Sequence, residues 1–219
     1  MIDFNLVSDS LPFLLRGALV TLQIAGLGCL FGITFGTFLG LLHSGKNKII
    51  CWLITMYVIL IRGTPMLMHI MFAYYVLPQL GIELPVFWAA IAAISLNSAA
   101  YVSQIIKSGI SAVSSGQKEA AKTLGFSSAQ IAWYIVLPQA FRIVLPALGN
   151  EFITLIKDSS LASIIGVAEL MREGSIIKSR TFDAISIYCA VALIYLVMTT
   201  TLSIFINQLE KRMNRHVKN

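Results

Sequence analysis

Charged residues are sparse along this chain, and the apolar runs between them are long enough to be read as elements. Gly17 to Gly45 carries no formal charge. At about 1.5 Å per residue it outruns a hydrocarbon core of ~30 Å, so it predicts a tilted transmembrane helix. Within it Gly28, Gly32, Gly36 and Gly40 recur every fourth residue, along one helix face. Such a flat stripe lets another helix backbone approach closely, and packing is what holds helices together where lipid supplies no hydrophobic drive.

Ile49 to Ile61 is apolar, Arg62-Gly63-Thr64-Pro65 interrupts, and Met66 to Pro78 is apolar again. Each half is short for a crossing and the sum is long for one. Basic residues on both flanks, Lys46 and Lys48 before it and Lys107 to Arg142 after it, favour one broken span. Pro65 supplies the break, because it lacks an N–H and clashes with the preceding turn. Gln79 to Pro85 is then a short loop. Val86 to Ile106 is a third, unusually polar span, Ile143 to Ile156 begins a fourth, and Ile185 to Gln208 forms the last, ending in Lys211, Arg212, Arg215 and Lys218. The pattern predicts an all-α, polytopic protein of five transmembrane helices, one transmembrane domain over residues 1–219, with its N-terminus outside and its C-terminus in the cytoplasm. Lys46, Lys48, Lys107, Lys118, Lys122, Arg142, Lys211, Arg212, Arg215 and Lys218 then lie inside, ten of the sixteen basic residues, against Glu119 and Glu210 of the acids.

Composition agrees with lipid as the solvent: 57% of residues are hydrophobic and 12% charged, against about a quarter charged in a soluble domain. The net charge of +6 sits in clusters between spans, a topology signal and not a nucleic-acid footprint. Asp3 and Asp9 precede any basic residue, the reverse of a cleavable signal. Cys29, Cys51 and Cys189 have no metal-ligand spacing, and they read as packing residues. No metal site or catalytic constellation is expected. His43, His69 and His216 are scattered and read as interfacial or packing groups, no HExxH pair exists, and Gly125-Phe126-Ser127-Ser128-Ala129 lacks the last glycine of a serine elbow. Gly40, Gly45 and Lys46 stand at Walker A spacing, but Asn47 replaces the magnesium-binding Ser or Thr, and a span precedes them where a strand is needed.

The segment at about 107–142 is patterned more finely than a tether. Ser114 with Gln117 and Ser127 with Gln130 match capping boxes, and Gly125 lies between them, where helices end in a left-handed residue. Two short helices with a Gly turn, stopped at Pro138, are predicted. Ala120, Ala121 and Leu124 form a small apolar face, with Lys118 and Lys122 on the other side. Two readings fit: docking into a groove on another protein, or lying on anionic lipid.

Glu119-Ala120-Ala121, Gly125 four residues on, and then Ile135, Leu137 and Pro138 resemble the EAA signature of ABC importer permeases at its full spacing. Arg62-Gly63-Thr64-Pro65, Ala99-Ala100-Tyr101, Leu137-Pro138-Gln139-Ala140, Lys157-Asp158-Ser159-Ser160-Leu161 and Ile165-Gly166-Val167 resemble the polar amino-acid subfamily (histidine, arginine, glutamine). The chain departs from that pattern at Gln104 and Lys107, where the family often shows an acidic residue and an arginine. The resemblance implies a type I importer permease in the bacterial cytoplasmic membrane. Glu119, Ala120, Ala121 and Gly125 would couple it to separate ATP-binding cassette subunits that carry ATP and magnesium, and this chain would bind no cofactor itself. Its further partners would be a second permease copy or a paralogue, an extracytoplasmic binding protein, an amino acid and the bilayer.

Ionisable groups at membrane depth face a cavity or a partner by default. Arg62, Glu151, Lys157 and Asp158 qualify, with Asn97 as a polar mid-span residue. Asp158 is the candidate acceptor for an ammonium or a cationic side chain. Asn97, Ser159 and Ser160 are candidates to orient the ligand, and Thr64, Arg62 and Glu151 to line the path. Plain ion pairing of Arg62 or Lys157 with Asp158 or Glu151 is the structural alternative. Against the importer reading stands an ion-gradient-driven secondary transporter, which would normally show inverted repeats; none is visible.

Overall fold

A computed structural model describes residues 2–214, so Arg215, His216 and Lys218 lie outside the described residues. The chain forms helices α1 (Phe4–His43), α2 (Lys48–Arg62), α3 (Met66–Met71), α4 (Val86–Ala112), α5 (Ser115–Thr123), α6 (Ser128–Ile131), α7 (Leu137–Asp158), α8 (Leu170–Thr181) and α9 (Ala184–Asn214). α1, α4, the α6–α7 rod and α9 are long and apolar enough to cross a membrane, while α2 and the helical run from Met66 to Leu80 form a pair bent by 99°. Counted as one broken span, the pair completes five, as predicted. Gly63 closes α2 and Pro65 opens α3 with extended backbone, so the break falls where the sequence placed it.

The first helix is longer than the uncharged run. It starts at Phe4 because Asp3 caps it, its Oδ1 accepting from the Asn5 and Leu6 amides at 3.0 and 3.1 Å. The Asp3 amide also donates to Ser186 Oγ at 2.8 Å, tying the start of α1 to the start of α9. Asp183 caps α9 in turn, and the Ser186 hydroxyl and amide it accepts from hold its carboxyl below the usual carboxylate range.

The glycine stripe meets α4 in register. A Cβ at Gly28, Gly32, Gly36 or Gly40 would stand 2.6–2.7 Å from side-chain atoms of Ile94, Ser98, Val102 or Ile106 respectively. Those partners are also spaced by four, so the i±4 rows of the two helices run together. At Gly36 and Gly40 the neighbours include backbone carbonyls of Ala99 and Ser103, both 2.8 Å away. Gly40 is thus a packing residue within a helix, and its Walker A spacing is coincidental. At its other end α1 presses on α8, where a Cβ at Gly17 would lie 2.9 Å from Leu170 Cα.

A fully buried carboxylate locks that end. Glu169 Oε1 accepts from the Arg172 amide at 2.8 Å, and its Oε2 accepts from the Met171 amide at 2.9 Å and from the Tyr195 hydroxyl at 2.8 Å. Thr21 Oγ1 lies 3.4 Å from Oε2 and accepts from the Leu170 amide at 3.2 Å. One side chain therefore caps α8 and joins it to α1 and α9. Lying outside the apolar runs, Glu169 gives no signal in the hydropathy pattern.

Pro138 does not stop the second short helix. α6 widens into a π turn over Ala132–Val136 and continues as α7. Phe72–Val76 does the same ahead of Pro78. Both turns end in Val-Leu-Pro, and in both the leucine amide bonds five residues back, to Ala132 O or Phe72 O. A proline ring clashes with the carbonyl four residues earlier, and the wider turn moves that carbonyl aside.

Replacing Gly36 by Val is expected to destabilise the fold by about 1–3 kcal/mol through overpacking. Gly26→Ala, with nothing within 4 Å, should leave it unchanged. Thermal unfolding in detergent micelles measures both, and equal behaviour of the two variants would refute the stripe's role.

Candidate functional site

α4 carries two working faces. Ile94, Ser98, Val102 and Ile106 face α1, whereas Asn97, Tyr101, Gln104 and Ser108, spaced 4, 3 and 4 apart, form a second helix face. On α7 the residues Ile143, Ala147, Glu151, Thr154 and Asp158 share one face by the same rule. The end of α2 closes the space between these two faces.

There a polar cleft of about 480 Å3 is lined by Arg62, Gly63, Thr64, Pro65 and Met66 from the helix break, Asn97 and Tyr101 from α4, and Glu151, Thr154 and Asp158 from α7. Its size falls within the roughly 300–1,000 Å3 usual for small-molecule pockets. Five of the seven candidate path residues, Arg62, Thr64, Asn97, Glu151 and Asp158, converge here from three separate stretches of chain.

Ser159 and Ser160 do not. After Asp158 the backbone tightens into a 3-10 helix over Ser159–Ile165. The Ser159, Ser160 and Ser163 hydroxyls each donate to the carbonyl three residues back, at 2.8, 2.6 and 2.6 Å. Ser159 is buried, and Ser160 lines a different cavity with Lys157, Tyr188 and Tyr195. Lys157 diverges from Asp158 because consecutive residues on a helix do not share a face. Arg62 places its guanidinium over the Tyr101 ring, 4.8 Å from the centroid. The cleft thus holds two carboxyl groups and one guanidinium.

His69, read from sequence as an interfacial or packing residue, organises the rim. Its Nε2 lies 2.6 Å from Thr64 Oγ1 and its Nδ1 lies 3.2 Å from Asn97 Nδ2. Thr64 gives its own proton to Leu60 O at 2.9 Å, so a neutral ring with the proton on Nε2 satisfies the whole set. A residue five after Thr64, across a proline break, offers no periodic signal. His43 is a polar hub as well. Lys107 Nζ donates to its Nε2 at 2.8 Å, Thr55 Oγ1 is 3.2 Å from the same nitrogen, and Gln104 Nε2 is 3.3 Å from Nδ1. The two departures from the subfamily pattern, Gln104 and Lys107, both meet this ring.

The α5–α6 elbow lies at the opposite end of α7. Gly125 is left-handed, with φ +84°. Its amide donates to Lys122 O at 3.0 Å and the Phe126 amide to Ala121 O at 3.1 Å, the paired bonds of a Schellman cap. Ser127 and Gln130 complete a capping box at 3.3 and 2.8 Å. Ser114 forms no such box, because the Gln117 side chain instead accepts from Gln139 Nε2 at 2.8 Å. Ala121 is buried, Glu119 and Ala120 are exposed, Leu124 is 78% exposed, and Phe126, Trp133 and Tyr134 are exposed too.

Residues 32–215 match the family described as binding-protein-dependent transport system inner membrane component. The chain is 37% identical to the arginine transport system permease protein of Bacillus subtilis (strain 168) over 213 residues, 97% of each chain. It is 38% identical to the glutamine transport system permease protein of Escherichia coli (strain K12), over 96% of this chain and 97% of the relative. In structure it is similar to a crystallised amino acid ABC transporter with histidines, with a TM-score of 0.92 and 39% identity over 97% and 99% of the two chains. The MetNI methionine ABC transporter in an inward-facing conformation shares the fold, with a TM-score of 0.75 at 17% identity over 91% and 95%.

His69→Leu is expected to lower stability by about 1–3 kcal/mol, since Asn97 Nδ2 loses its acceptor beneath the cleft. His69→Gln, which retains an acceptor, should lower it less. Melting temperatures of the two variants in detergent decide the point, and the ordering would be reversed if the ring served only to fill space.

Proposed function

The chain belongs to the family of binding-protein-dependent transport system inner membrane components, and from that premise we propose that the cleft of Arg62, Glu151 and Asp158 receives a cationic amino acid during its passage across the membrane. The chain is a permease subunit of an ATP-driven amino-acid importer and not an enzyme; the ion-gradient-driven alternative gives way to this membership.

The observation that carries the substrate reading is charge stoichiometry. A basic amino acid has two cationic groups and one carboxylate. The cleft offers two carboxyl groups and one guanidinium. Glu151 and Asp158 receive the ammonium and the side-chain cation, and Arg62 receives the carboxylate in a charge-assisted pair. Asn97 and Thr64, held by His69, orient the ligand. Transport of arginine by the Bacillus relative, and the histidines of the crystallised transporter, support the same class. A neutral side chain such as that of glutamine leaves one carboxyl group unmatched.

The rest of the assembly follows from the elbow. Glu119, Ala120, Ala121 and Gly125 shape the α5 surface that docks into a separate ATP-binding cassette subunit, which carries ATP and magnesium, and segment 107–142 as a whole is the coupling region. This end faces the cytoplasm of a bacterium with the C-terminus, and the start of α1 faces outward, where a binding protein delivers the amino acid. A second copy, or a paralogue, closes the path. Binding and release of nucleotide then shift the population between outward- and inward-facing states.

Asp158→Asn and Glu151→Gln should each weaken binding of a basic amino acid about tenfold or more, equal to about 1.4 kcal/mol, and weaken binding of glutamine much less. Calorimetry on the purified complex measures this, and equal losses for both ligands, or none, would sink the assignment. Leu124→Asp should reduce affinity for the ATP-binding subunit by roughly tenfold or more, as expected of an apolar anchor. Quantitative co-purification tests it, and undiminished recovery would remove the elbow from the interface.

A further inference from the structure

Arg62 and Tyr101 line two cavities at once. Beyond the acidic cleft, toward the α5 end of the molecule, lies a second chamber of about 490 Å3. Its walls continue the same two helix faces, with Gln104, Ser108 and Ala112 from α4 and Ile143 and Ala147 from α7. Along α4, which runs toward α5, the residues lining only the cleft come before Tyr101 and those lining only the chamber come after it. Along α7, which runs away from the elbow, the chamber residues come first. The two spaces are therefore stacked along the path, and the stacked guanidinium and ring, 4.8 Å apart, stand between them.

Their chemistry differs in a way that gives the boundary a purpose. The cleft has Glu151 and Asp158, whereas among the described residues that line the second chamber there is no carboxyl group and Arg62 is the only formal charge. A cationic ligand held above loses its counter-charges on moving below, so the lower chamber is a place of weak binding from which it departs. Arg62 is also placed to move. It is the last residue of α2, at the apex of a 99° bend, followed by Gly63.

We propose that Arg62 stacked on Tyr101 is an internal door between the ligand cleft and an exit chamber, and that the ligand's own carboxylate draws the guanidinium off the ring. A bidentate guanidinium–carboxylate pair is stronger than a cation–π contact, so occupancy of the cleft favours the open arrangement. The inference rests on the cleft being the ligand site and the α5 end being cytoplasmic.

The test uses the complete complex with its ATP-binding subunits in liposomes, without nucleotide, in a background with Cys29, Cys51 and Cys189 replaced. Single cysteines are introduced at Thr154 in the cleft or Ser108 in the chamber. A membrane-impermeant methanethiosulfonate is then applied from the α5 side. Ser108→Cys should react quickly in every background. Thr154→Cys should react at least tenfold more slowly, and Tyr101→Ala should abolish that difference while Tyr101→Phe, which keeps the ring face, preserves it. Arg62→Gln provides the same test if Tyr101→Ala does not assemble. A basic amino acid should accelerate labelling of Thr154→Cys when the door is intact and slow it by direct shielding in the Tyr101→Ala background; slowing with the door intact overturns opening by the ligand. An unchanged Thr154→Cys rate in both door variants overturns the proposal. Failure of the ligand-site reading shows separately, as no effect of the amino acid on Thr154→Cys in any background.

Discussion

Everything in this molecule depends on how closely two helices approach inside a solvent that gives them no reason to associate. In lipid, α1 and α4 gain nothing from hiding leucines from water, so contact must come from shape. Four glycines on α1 accept four side chains of α4, each at a distance that a methyl group would forbid. That registration fixes the rotation of α4 about its own axis. Since α4 is a rigid cylinder, fixing one face also fixes the other, and the other carries Asn97, Tyr101, Gln104 and Ser108. The packing of an uncharged stripe thus determines where these polar residues point.

The electrostatics of the cleft are built on that frame by helix breaks more than by helix faces. Arg62 and Thr64 lie at the bend between α2 and α3. Asp158 ends α7 at the point where the coil tightens. Broken helices at membrane depth allow polar groups that a continuous span would have to hide. The buried Glu169 shows the other use of charge in this fold, since its oxygens are occupied by α8, Tyr195 and Thr21 and have no room for a ligand.

Much of this was legible in the chain itself. The five spans follow from apolar length and basic punctuation, and the break at Gly63–Pro65, the left-handed Gly125 and the Ser127–Gln130 box follow from local backbone chemistry. Five of the seven proposed path residues reach one cleft, because ionised groups in apolar surroundings have few tolerable places to go. What stayed hidden depends on relations between distant residues or on subtle changes of coil. Pro138 passes within a continuous rod because a π turn relieves its clash. Ser159 and Ser160 turn back on their own helix. His69 gains its role only because the bend folds α3 over Thr64 and Asn97. Tyr101, four residues after Asn97, shares its helix face by spacing alone.

The unbroken run from α6 through α7 has a mechanical meaning. Leu137 to Asp158 is 22 residues, about 33 Å of helix at 1.5 Å per residue. The elbow stands at one end and Asp158 at the other. Pivoted near the elbow, such a beam needs to tilt by only about 5° to carry the carboxyl group about 3 Å, a full hydrogen-bond length. A small movement of the elbow is thereby magnified at the far end of the beam, where a displacement of that size makes or breaks a charge-assisted hydrogen bond.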